Sequence, residues 1–106
     1  MPGSDRRGSD ELHVLVFKEA GAWIAQCLEH DIVGQADTES EAVRRLMATI
    51  ELHIESDVES GIEPLSKIPA PPQRYWKLFS SGSSHPAPNL LPTGAFSRSC
   101  DLRIAA

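Results

Sequence analysis

The residues best suited to nucleophilic or metal chemistry in this 106-residue chain are His13, His30, His53, His85, Cys27 and Cys100. Cys27 and His30 form a C-x-x-H pair, a spacing that can put two ligands on one ion. A structural zinc needs four ligands, and no second pair with finger-type spacing accompanies this one. A Cys–His nucleophile requires a thiol of lowered pKa and a base oriented towards it. Cys27 sits inside an apolar run, where it reads as a small core hydrophobe. His53 reads as a helix-flank residue. Carboxylates are abundant, 15 in all, but most fall at the start or on the outer face of a helix, where water solvates them. General acid–base work needs a matched pair in a defined setting. The Gly82-Ser83-Ser84 stretch lacks the strand-to-helix context of a phosphate-binding loop. The chain is therefore read as having no catalytic residues, no cofactor and no metal.

Charge gives a second constraint. Residues 10–59 carry twelve acidic residues against three basic ones, a net −9 within a chain total of −5. Phosphates are repelled by such a segment, so direct nucleic-acid binding is disfavoured and a basic protein is the favoured kind of partner. Solubility alone would also account for an acidic surface. No run reaches about 18 apolar residues, the length of a membrane span. Arg6 and Arg7 are not followed by the apolar stretch of a secretory signal. Cys27 and Cys100, 73 positions apart, suggest no disulfide framework and are read as reduced thiols in a cytoplasmic protein.

The elements that carry these residues follow from periodicity. Leu12–Phe17 alternates, with Leu12, Val14 and Val16 on one face and His13, Leu15 and Phe17 on the other, which predicts a strand. Glu19-Ala20-Gly21 is a tight connection to a second strand over 22–28, with Gly21 supplying the unusual backbone angle. After the polar break Glu29-His30-Asp31, residues 32–36 form a third, shorter strand. Short turns require these three to be antiparallel neighbours. Thr38-Glu39-Ser40-Glu41 is a capping box, and Asp37, Glu39 and Glu41 suit the positive end of a helix. Ala42, Val43, Leu46, Met47, Ile50 and Ile54 then recur every three or four residues, which predicts a helix over about 39–58 with Leu52 and Val58 off its stripe. Ser60-Gly61 is a suitable stop.

That stripe belongs on one face of the three-stranded sheet. The other face, with Leu15, Phe17 and either Trp23 or Ile24, is too apolar for water and must be covered by the C-terminal part or by another subunit. Residues 62–73, with Pro64, Pro69, Pro71 and Pro72, read as an extended connector. Gln73–Phe79 is an aromatic cluster and a short second helix. Residues 80–94 read as loop, and 99–105 alternate as a candidate fourth strand. The expectation is an α+β domain over residues 10–79, preceded by a disordered segment at 1–9 and followed by a Ser/Pro-rich tail at 80–106.

This order and particular residues within it resemble the HicB-like antitoxin family. The similarity covers Trp23 to Glu55, about half the chain. It rests on an aromatic-led strand, a polar break, a third strand, the turn Asp37-Thr38, the helix start Glu41-Ala42, and Leu46, Ile50 and Leu52 along the helix. Ala36 stands where that pattern has glycine. The resemblance implies a partial RNase H-like fold without its catalytic carboxylates, which neutralises a small basic HicA-like toxin ribonuclease and self-associates as a homodimer or larger. The DNA-binding module common in that family is not carried over, because residues 62–106 hold no basic recognition helix.

On this reading the chain is a non-enzymatic protein-binding domain. Glu29, Asp31, Asp37 and Glu41 are the candidate partner-binding residues. Trp23, Trp76 and Phe79 are candidates for self-association or for the core, since Trp and its like dominate interface hot spots. The alternative is a structural or small-molecule-binding domain of the same fold with no toxin partner.

Overall fold

The strand alternation and the helical stripe need a common core, and the computed structural model, which describes residues 11–85 and 100–105, places both against it. The elements are β1 (Leu12–Glu19), β2 (Ala22–Cys27), β3 (Val33–Ala36), α1 (Glu39–Glu59), α2 (Arg74–Ser81), β4 (Ser83–His85) and β5 (Cys100–Ile104). They form an α+β fold with one mixed sheet in the order β3-β2-β1-β5-β4. The three-stranded antiparallel meander, the long helix and the short second helix are as the sequence predicts. The C-terminal strand is present too, and it pairs in parallel with β1, from Leu12↔Cys100 to Val16↔Ile104. Within the segment read as loop, residues 80–81 complete α2 and β4 pairs antiparallel with β5. The disordered segment expected at 1–9, and residues 86–99 of the tail, lie outside the described residues. Among those described, no helix is long and apolar enough to cross a membrane.

The β1–β2 hairpin turns through Ala20 and Gly21, at φ 53° and 83°. Positive φ at both central residues is the turn whose twist matches that of the strands. At the other end of the meander, Thr38 Oγ1 accepts from the Glu41 backbone N–H at 3.2 Å and starts α1. The reciprocal half of the predicted capping box gives way to a stronger attraction, since the Glu41 carboxylate turns to Arg44 and Arg45. α1 stops at Ser60 and Gly61, where Gly61 N–H donates to Val58 O and Ile62 N–H to Asp57 O. Gly61 takes φ 72°, the left-handed closure that satisfies the last carbonyls of a helix.

Two apolar layers result. On one sheet face Leu12, Val14, Val16, Ala25, Cys27 and Leu102 meet Ala42, Val43, Leu46, Ile50 and Ile54 of α1, and the connector adds the buried Leu65. Leu65 is held by its backbone N–H, which donates to Asp57 Oδ2 at 2.8 Å. Gly34 lets β3 lie close against the backbone of α1. A Cβ there would stand 2.4 Å from Ala42 O and 2.5 Å from Leu46 N. On the second face α2 covers Leu15 and Leu28 with Phe79, flanked by Phe17 and Tyr75. The chain's own C-terminal half therefore covers this face. Register resolves the other alternative as well: Phe17 pairs with Ile24 and Lys18 with Trp23, so Ile24 shares the α2 face and Trp23 the α1 face.

Candidate functional site

The four acidic candidates divide into two groups at opposite ends of β3. Glu29 and Asp31 lie in the β2–β3 loop, and Asp37 and Glu41 lie at the start of α1. Glu29 is half-buried and faces inward. Its Oε1 accepts from the His13 backbone N–H at 2.8 Å, and its Oε2 lies 2.6 Å from His13 Nδ1. The Cys27 Sγ is 3.9 Å from the same carboxylate. Asp31 is exposed, although its Oδ1 accepts from Gln26 Nε2 at 3.1 Å. The loop itself is fixed to the connector through Asp31 N–H to Pro69 O, at 2.7 Å, and His30 Nδ1 to Ile68 O, at 2.8 Å. Cys27 and His30 thus take separate structural roles. Asp37 is exposed. Glu41 pairs with Arg44 at 2.6 Å and Arg45 at 3.3 Å. The Arg44 hydrogen bond, aided by Arg45, holds the Glu41 carboxyl below the usual glutamate range.

Further along α1 lies acidic surface that no cation among the described residues pairs with. Glu51, Glu55 and Glu59 follow one another at four-residue steps, so they form a row on the helix. Leu52 and Val58 stand beside them at 66% and 49% exposure. None of the three carboxylates makes an ion pair with a described residue. The last turn of α1 holds no basic residue, although a helix C-terminus favours one. In the sequence these glutamates read only as carboxylates on the outer face of a helix, and their four-residue spacing is the signal that sets them apart.

The aromatic candidates separate in the same way. Phe79 is buried at 4% exposure against Leu15 and Leu28, and Trp23 is half-buried beside the α1 core. Trp76 is exposed at 38%, with Leu78 at 42% on the same helix. Trp76 also lies against His13, ring centroids 5.1 Å apart, and Phe79 meets His13 edge-on at 5.4 Å.

His13 stands in a polar cluster that the sequence does not announce. Glu11 Oε1 is 3.7 Å from His13 Nε2. The β1–β5 pairing sets Asp101 directly beside His13. The residues are about 90 positions apart in the chain, and only the parallel return of β5 joins them. Arg103, next along the same face of β5, lies over the Phe79 ring at 4.6 Å and reaches Asp101 at 3.7 Å.

Compared with protein-family models, with curated proteins and with solved structures, the chain matches none of them.

Proposed function

We propose that this chain is a non-catalytic protein-binding domain of the HicB-like antitoxin kind, whose partner is a small basic protein, in the first instance a toxin ribonuclease. The observation that carries the reading is the row Glu51, Glu55 and Glu59 on α1. Repeated like charge at four-residue spacing costs helix stability, and acid at the C-terminal end opposes the helix dipole. A cationic partner laid along the row would relieve both. Leu52 and Val58 supply apolar contact beside the charge, the mixture that protein interfaces use. Asp31 and Asp37 are exposed and remain available to a cationic partner, whereas Glu29 and Glu41 are already engaged within the chain.

The resemblance is supported by where its segment falls. Trp23–Glu55 spans β2, β3 and most of α1, with Asp37-Thr38 at the junction. Self-association belongs to the same reading, and Trp76 and Leu78 on α2 are its exposed apolar residues. An RNA-cleavage assay tests the proposal. The chain alone, with magnesium or manganese, is expected to cleave no RNA. An equimolar amount is expected to silence a small basic ribonuclease encoded beside it. Cleavage by the chain itself, or a ribonuclease left fully active, would overturn the reading.

A further inference from the structure

We infer that Glu11, His13 and Asp101 form a binding site for one divalent transition-metal ion, which would clip the first strand of the sheet to the last. This site is independent of the acidic row on α1. One ligand atom from each of the three residues lies within 4.8 Å of the others, and Glu11 Oε1 is already 3.7 Å from His13 Nε2. Ligands at bonds of about 2.1 Å and tetrahedral angles stand about 3.4 Å apart. Closing to that geometry asks for side-chain movement of an ångström or so, and Glu11, 47% exposed, is free to make it.

The imidazole distinguishes this group from a patch of solvated carboxylates. Glu29 grips His13 twice, at the backbone N–H and at Nδ1. A carboxylate is an acceptor, so a metal-binding ring would keep its proton on Nδ1 and offer Nε2, the nitrogen beside Glu11, to the ion. A carboxylate behind a histidine ligand is the usual outer shell of a metal site, fixing tautomer and ring direction. Trp76 and Phe79 pack around the same ring and hold it further. The charge balance points the same way. Three carboxylates, from Glu11, Glu29 and Asp101, surround one imidazole, and Arg103 is the one cation in contact with them among the described residues. Arg103 sits to one side over Phe79, with its buried Nε lacking a hydrogen-bond partner. One nitrogen and two carboxylate oxygens suit zinc, manganese or a similar ion, with the remaining positions open to water.

Titration calorimetry of the chelator-treated full chain with Zn²⁺ tests the site, with Trp76 fluorescence as a local reporter. Trp23→Phe removes the other tryptophan, which lies across the sheet. The expected result is one ion per chain, quenching or shift of the Trp76 emission, and a raised melting temperature. His13→Gln and Asp101→Asn should each weaken binding at least tenfold, and Glu29→Gln by about 10–100-fold. His53→Gln, exposed on α1, should leave it unchanged. Asp101→Asn keeps the strand pairing, so it reports on the site even where His13→Gln disturbs folding. No stoichiometric binding would overturn the inference, as would binding that Asp101→Asn leaves intact.

Discussion

At the scale of single residues, the clearest lesson is that an acidic side chain is not an acidic surface. Glu29 is committed to His13, and its loss would leave a backbone donor without its acceptor. Glu29→Ala is therefore expected to cost about 1–3 kcal/mol in denaturant unfolding, where a purely surface carboxylate would cost almost nothing. Glu41 is half-exposed but held by Arg44 and Arg45, so its folded pKa lies below its unfolded one. Its stabilising contribution is present above the ordinary glutamate pKa and is lost as pH falls through the depressed value. The stability gap between wild type and Glu41→Gln should accordingly close on acidification through that window, and a gap constant with pH would contradict the pairing. Ala20 pays for its φ of 53°. Ala20→Asn, which tolerates the left-handed region, is expected to raise stability by about 0.5–1 kcal/mol in a thermal melt.

At the scale of elements, β3 and α1 meet backbone to backbone at Gly34. Adding one methyl there has no side chain to displace, only Ala42 O and Leu46 N. Gly34→Ala should destabilise by about 1–3 kcal/mol or more, the range of overpacked cores, and hydrogen exchange should localise the loss to β3 and the first half of α1. Most of these elements were legible in the sequence because their signals are local. The alternation of Leu12–Phe17, the period of Ala42–Ile54 and the stop at Gly61 each occupy a few neighbouring residues. The second helix was legible from its aromatic cluster. β4 was not, since three residues, Ser-Ser-His, carry no periodicity and acquire strand geometry only by pairing with β5. The partner of β5 was hidden for the same reason: alternation shows that residues form a strand but not that β1 lies beside them in parallel. The cluster of Glu11, His13 and Asp101 was invisible because that long-range pairing creates it. The Glu51, Glu55 and Glu59 row was visible as spacing, but the sequence did not show that no cation among the described residues pairs with it.

At the scale of the whole molecule, charge is unevenly spread. Residues 10–59 carry the acidic excess and residues 60–106 a small basic one. The two apolar layers are closed by α1 and α2, so self-association has the exposed Trp76 and Leu78 to work with and not an open sheet face. Light scattering is expected to give about twice the chain mass, and Trp76→Ser with Leu78→Ser to return it to one; a wild-type monomer would remove α2 as an interface. The central claim is that α1 presents to a basic protein an anionic row that no described residue neutralises. Its most direct measurement is the affinity of the chain for its basic partner, compared with that of the variant Glu51→Lys, Glu55→Lys, Glu59→Lys at matched ionic strength. The expected result is a loss of a hundredfold or more with the fold intact by circular dichroism, and a wild-type affinity that falls as salt rises. Equal affinity for the two proteins would contradict the account.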